Sequence, residues 1–253
     1  MDADAYLDRF HAEKRVDADL PYLAYLQMQH MLHVPFENLD VINQVPITLN
    51  REKFFDKIVN HYRGGFCYEL NGLFIWLLQQ LGYQAHLISG TVHQKNGIWA
   101  LANSHAAILV ELDQSYLVDV GFGDSVRHPL PITGKSINDV SGKYRVIYNE
   151  QNELGPYLLQ KNREGLWTNL YCFDIEENKL IDFTSMCNYN QTSPDSPFTQ
   201  NLITTIATEN GRITLSDNIL TTTKGSFKSR KEANNKEDIL EKFFNISLNT
   251  DAK

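Results

Sequence analysis

The spacing of apolar positions changes character along the chain. Leu20, Tyr22, Leu23, Leu26, Met28, Met31 and Leu32 recur at helical intervals behind Pro21, a residue tolerated in a first turn. Asn50 is placed to cap a second helix carrying Phe54, Phe55, Ile58, Val59 and Tyr62. A third helix is predicted from about Cys67 to Leu81, ending at Gly82 as a left-handed stop. The middle of the chain reads differently. Ala85–Val92, Ala106–Leu112, Tyr116–Val120, Tyr144–Tyr148 and Leu166–Phe173 are β-branched and aromatic runs separated by turn residues, the pattern of an antiparallel barrel or sandwich. The last third is mixed. Phe183–Asn188 fits one or two helical turns, and Leu202–Thr208, Arg212–Leu215 and Ile219–Thr223 alternate as strands. Glu232–Phe244 carries Ile239, Leu240, Phe243 and Phe244 on one stripe and closes the chain as a helix.

Turn residues make Asn149–Pro156 and Asn188–Pro197 plausible joints, and no internal repeat is visible. The division that follows is a helical unit over residues 1–83, a β-barrel unit over 84–190 and an α/β unit over 191–253.

Composition narrows the function. The 253 residues are 42% hydrophobic, 11% aromatic and 21% charged, a globular balance rather than a disordered one. No run approaches the ~20 apolar residues of a bilayer span, and the acidic Met1–Ala5 start does not read as a signal peptide, so a cytoplasmic protein is expected. With 23 basic against 31 acidic side chains the formal charge is −8, which argues against nucleic acid as a partner but not against a small anion. Three cysteines without a C-x-x-C pair argue against a disulfide framework and against a structural zinc site.

The informative segment is Arg63-Gly-Gly-Phe-Cys-Tyr-Glu-Leu-Asn-Gly72. It places Cys67 in the first turn of an apolar helix, with Leu70, Asn71, Phe74 and Leu78 below it on the same face. A helix start carries partial positive charge and unpaired N–H groups, which favour a thiolate, the nucleophilic form. Gly64 and Gly65 would let backbone approach an oxyanion. A small buried filler fits Cys67 as well, and the burial reading suits Cys172 and Cys187. A nucleophile needs a base and an orienting acid. Of eight histidines, His105 opens an apolar strand, and Asp119 is a carboxylate inside another that demands a donor. A two-residue hairpin at Asp113-Gln114 would pair residue 119 with residue 108. His105 would then be about 10 Å away along the strand, at ~3.3 Å per residue.

These residues resemble the arylamine N-acetyltransferases. Arg63–Gly72 is similar to that family's nucleophile motif, Pro35-Phe-Glu-Asn-Leu39 to its upstream motif, and Ser104–Val110 and Val118–Gly123 to its histidine and aspartate segments. Ser193–Phe198 is similar to a further landmark. The resemblance implies a helical domain, a β-barrel domain and an α/β lid. It also implies a Cys67-His105-Asp119 triad and ping-pong transfer from acetyl-CoA to arylamines or arylhydrazines, with O-acetylation of N-hydroxyarylamines as a related reaction. No metal is implied. On this basis Phe36, Phe122 and Phe198 are assigned to the acceptor pocket, Ser104 and Gly123 to the acyl donor, and Glu37 with Arg63 to an ion pair bracing the Cys67 loop. The chain is somewhat short for the family, with the shortage expected after Phe198. The expected partner is a small-molecule acceptor, for a monomer or weak homo-oligomer. The alternative is a related Cys-His-Asp acyltransferase or amide synthase with another acyl donor. Lys224, Lys228, Arg230 and Lys231 form a basic cluster that could meet phosphates but reads better as a solvated strand-to-helix turn.

Overall fold

A computed structural model describes residues 1–94 and 96–247, so residues 248–253, the end of the expected third unit, lie outside the described residues. The helices are α1 (Ala3–Arg9), α2 (Leu20–His33), α3 (Leu39–Ile42), α4 (Arg51–Phe55), α5 (Cys67–Gln80), α6 (Thr184–Thr192), α7 (Pro197–Gln200) and α8 (Lys236–Phe244). A π-helical turn, Asp56–Asn60, extends α4. The caps follow the chemistry of the chain. Asp19 accepts the Tyr22 N–H ahead of α2, Asn50 accepts the Lys53 N–H ahead of α4, and Gly82 takes φ +90° after α5.

Among the described residues, thirteen strands form two antiparallel sheets. The first comprises β2 (Gln84–Val92), β3 (His105–Glu111), β4 (Ser115–Val118), β5 (Leu130–Pro131), β6 (Ile137–Asp139), β7 (Gly142–Tyr148), β8 (Tyr157–Arg163) and β9 (Leu166–Phe173). Its order is β5-β4-β3-β2-β9-β8-β7-β6, and β5 comes back against β7, so the sheet nearly closes into a barrel. Ile88, Ala107, Leu109, Leu117, Tyr144, Val146 and Tyr171 fill its interior. The second sheet joins β1 (Phe36–Glu37) to β10 (Ile203–Thr208), β11 (Gly211–Ser216), β12 (Ile219–Lys224) and β13 (Phe227–Glu232). Leu240 and Phe244 of α8 pack with Leu202, Ile206 and Leu215. A third core, built on α2, α5 and their neighbours, joins the helices to the barrel through Ala106, Ile108 and Val118.

Several expectations need correction. Asn149–Pro156 is the loop of the β7–β8 hairpin rather than a joint, because β8 follows it directly. Residues 188–192 complete α6. Its mixed polar composition, with Asn188, Asn190 and Gln191, hides a helix of which only Cys187 and Asn190 are buried. The final helix begins at Lys236, not Glu232, because Phe227–Glu232 pairs with β12 as an edge strand. The basic cluster therefore lies on a hairpin, and its lysines suit an exposed edge.

Candidate active site

Cys67 is the first residue of α5, and its helix abuts β3 and the segment following β4. The contact is close. A Cβ on Gly121 would stand 2.8 Å from the Cys67 Cα and 2.7 Å from Asn71 Nδ2, so only glycine lets the two chain segments meet there.

The β3–β4 hairpin resolves the distance between His105 and Asp119. Glu111 pairs with Ser115, leaving Leu112–Gln114 as the connection, and Ile108 pairs with Val118. The expected two-residue loop is thus one residue too short. That single residue matters because strand faces alternate: it moves position 119 opposite 107 instead of 108, onto the face that carries His105. The His105 Nε2–H donates to Asp119 Oδ2 at 2.8 Å. The other ring nitrogen is left for Cys67, which lines the same cleft as the imidazole. All three residues are buried.

The Asp119 carboxylate is fully occupied. Oδ2 also accepts the Tyr171 hydroxyl at 2.9 Å, and Oδ1 accepts Asn71 Nδ2 and the Gly121 N–H, each at 2.9 Å. Asn71 is itself fixed, donating to the Ala106 carbonyl at 2.7 Å and accepting the Val120 N–H at 3.0 Å. Burial pushes the Asp119 carboxyl up, but His105 and these donors outweigh it and hold it below its usual range. Burial alone would lower His105. The Asp119 charge, its hydrogen bond and Cys67 reverse this and push the imidazole up to about 10.

The sign of that shift sets a pH window. Because the folded value lies above the ordinary 6.5, the stabilisation is complete below about pH 6.5 and lost as pH rises through about 10. The stability advantage of the wild type over His105→Gln is therefore expected to shrink between neutral and alkaline pH in chemical denaturation. A gap that stays constant across that range would rule this out.

The cleft above the site has a volume of about 530 Å³. Cys67 and His105 open into it, together with the predicted Phe36, Phe122, Phe198, Ser104 and Gly123. Phe122 and Tyr171 frame the imidazole, with ring centroids 5.2 and 4.9 Å from it. Phe36 and Phe198 face each other at 6.1 Å. Phe36 pairs with Thr205 of β10, so the second sheet supplies one wall. Gly123 takes φ +81°, a conformation that glycine adopts without cost. The basic residues 224, 228, 230 and 231 are not among the lining residues. Glu37 and Arg63 lie outside the cleft, with Arg63 Nε and Nη2 3.0 and 2.8 Å from Glu37 Oε1.

Sequence reasoning missed Asn71 and Tyr171. Asn71 had a signal: a polar residue one turn below Cys67 on an otherwise apolar face. Tyr171 had none, since an inward tyrosine in a strand reads as core.

No helix among the described residues is long and apolar enough to cross a membrane, and no group of three or more His, Cys, Asp or Glu side chains among them could hold a metal. The N-acetyltransferase family model matches residues 19–253. Arylamine N-acetyltransferase 2 of Mesocricetus auratus is 31% identical over 286 aligned positions, covering 98% of this chain and 95% of that protein. Among solved structures, an arylamine N-acetyltransferase from Bacillus cereus superposes with a TM-score of 0.92 at 30% identity, covering 98% of this chain and 100% of that one. That enzyme has a Cys-His-Glu catalytic triad, whereas this chain carries aspartate at position 119. The arylamine N-acetyltransferase of M. tuberculosis superposes with a TM-score of 0.90 at 29% identity, covering 100% of this chain and 96% of that one. Matched along nearly its whole length in sequence and in fold, the chain belongs to the arylamine N-acetyltransferases, a family of transferases acting on small-molecule acceptors.

Proposed function

We propose that this protein acetylates arylamines and arylhydrazines with acetyl-CoA by a ping-pong mechanism through an acetyl-Cys67 intermediate. N-hydroxyarylamine O-acetylation would use the same steps. The observation that carries the reading is Cys67 at a helix start, sharing an aromatic cleft with a histidine held by a buried carboxylate.

The Cys67 thiolate attacks the thioester carbonyl. First-turn amides such as the Cys67 N–H, which no helical carbonyl can reach, stabilise the oxyanion. The carbon–sulfur bond to CoA breaks, and the departing thiolate takes the proton of the His105 imidazolium. In the second half the amine nitrogen attacks the acetyl-Cys67 carbonyl. His105 removes the amine proton as the new carbon–nitrogen bond forms and the cysteine thiolate leaves. Asp119 holds the imidazole with its Nε2 proton directed away from Cys67 and stabilises its charged form.

Phe36, Phe122 and Phe198 are assigned to the flat acceptor ring; offset and edge-on ring contacts add ~0.5–1.5 kcal/mol beyond area burial. Ser104 and Gly123 are assigned to the donor side of the cleft. The protein is read as cytoplasmic, a monomer or weak homo-oligomer. The test is intact-protein mass after mixing with acetyl-CoA and no amine. One acetyl group is expected on the wild type, discharged by aniline or a hydrazide, and none on Cys67→Ala. A folded wild type that takes up no acetyl group would move the reading to a different acyl donor, as in an amide synthase.

A further inference from the structure

The turn that carries Cys67 is held from behind by charged side chains that do not reach the cleft. Five of them converge: Glu37, Asp40, Lys57, Arg63 and Glu69. Four of these border a separate cavity of about 470 Å³. Lys57 comes from the π-helical turn, whose extra residue per turn sets the direction of its side chain. Its Nζ donates to Glu69 Oε1 at 2.8 Å and lies 2.7 Å from Asp40 Oδ2 and 3.8 Å from Glu37 Oε1. Burial would lower the Lys57 ammonium, but the three carboxylates hold it above its ordinary range.

The other oxygen of Glu69 does a different job. Oε2 accepts the Phe66 N–H at 3.1 Å. Phe66 is the residue before α5 and has no side-chain acceptor of its own, so Glu69 supplies the one half of a capping box available here. The fit is tight. A Cβ on Gly65 would stand 2.8 Å from Glu69 Oε2, and one on Gly64 would overlap the Pro35 carbonyl oxygen. The chain Lys57–Glu69–Phe66 therefore ends one residue before the sulfur that must meet His105. Phe66 also touches Phe198 of the cleft wall, edge-on at 6.3 Å.

We propose that Lys57 and Glu69 are positioning residues for the nucleophile: Lys57 fixes which way the Glu69 carboxylate turns, Glu69 anchors the Phe66 amide, and the anchored turn aims Cys67 at His105. The inference rests on reading Cys67 as the nucleophile. Its test exploits the orientation of an amide. In Glu69→Gln, Lys57 captures the amide oxygen and leaves an NH2 against the Phe66 N–H, so the anchor is lost in an isosteric variant. Adding Lys57→Met frees the glutamine to turn its oxygen to Phe66. The K57M/E69Q variant also restores the wild-type charge balance of the cluster, whereas K57M/E69L has that balance without an acceptor.

The readouts are the rate of Cys67 alkylation by iodoacetamide, followed by mass, and the kcat and KM for acetyl-CoA. Glu69→Gln is expected to alkylate and turn over about 10- to 100-fold more slowly, the scale of a small misplacement, with KM little changed. K57M/E69Q is expected to recover most of the rate, and K57M/E69L to remain slow. Three results would overturn the proposal: Glu69→Gln at the wild-type rate, K57M/E69Q no faster than Glu69→Gln, or K57M/E69L as fast as K57M/E69Q. If K57M/E69L does not fold, the other two variants decide. Alkylation does not depend on acetyl-CoA. A wild type that fails to take up acetyl but shows this order of alkylation rates would sink the acetyltransferase mechanism and leave the positioning role standing.

Discussion

Asp119→Asn is expected to slow acetylation of Cys67 by about 10⁴-fold, the loss that the same exchange causes in a serine-protease triad. The reason lies in the donors around the carboxylate. Each oxygen receives two: His105 and Tyr171 on Oδ2, Asn71 and Gly121 on Oδ1. An asparagine must turn its NH2 toward one pair. Facing Asn71 and Gly121, it sets donor against donor in a buried site. Facing His105, it requires Nε2 to accept, which moves the imidazole proton to the nitrogen that must serve Cys67. Either orientation removes the negative charge that sustains the imidazolium. Single-turnover acetylation, followed by mass, measures the effect. A loss smaller than tenfold in a folded variant would mean that Asp119 does not govern the state of His105.

The second large effect concerns stability. Arg63→Met removes both hydrogen bonds to Glu37 Oε1 and the 2.8 Å contact with Asp40. The Glu37 side chain has no exposure to solvent, and its remaining cation, Lys57, is 3.8 Å away. Breaking a buried pair by removing one partner costs ~3–5 kcal/mol, because the abandoned charge cannot hydrate. At roughly 2–4 °C per kcal/mol for a chain of this size, the melting temperature should fall by ~6–20 °C. Melting within two degrees of the wild type would place the pair among surface contacts of little worth.

How much of this was legible depended on the range of the interaction. Helices α2, α4 and α5 were readable because their signals are local: Pro21, Asn50 and Gly82 each act within a few residues of where they stand, whereas the short α1, α3 and α7 were not read. Most of the longer antiparallel strands were readable by alternation, including β10, β11 and β12, whereas β1, β5 and β6, of two or three residues each, are too short to show a period. β8 was hidden by its polar residues: Gln160 and Lys161 are buried inside it, against the usual habit of such side chains. The β13 edge was hidden because Lys228, Arg230 and Lys231 resemble a solvated turn. The cysteine, histidine and aspartate each had a local reason to stand out, and the motif resemblance brought them together. Their meeting depended on one residue of hairpin length, below the resolution of pattern reading. The charged cluster was half legible. Glu37 and Arg63 sit in motifs, whereas Lys57 reads as the polar face of an amphipathic helix, and the π turn that redirects it has no sequence signature.

The pairing of β1 with β10 has a consequence for the order in which the protein is made. Asn38, beside β1, both receives the Ile203 N–H and donates to the Phe198 carbonyl, across 165 and 160 residues of chain. At about 5–20 residues per second, a ribosome would take roughly 10–30 s to synthesise that interval. In the later part of it, once residue 119 has been made, the nucleophile helix, the histidine strand and the aspartate can already assemble, while the wall bearing Phe198 and Thr205 has yet to emerge. The nascent chain would thus own its reactive sulfur before it owns a pocket. A ribosome-stalled chain ending before residue 198 is expected to expose Cys67 to small electrophiles that the finished cleft admits only through its mouth.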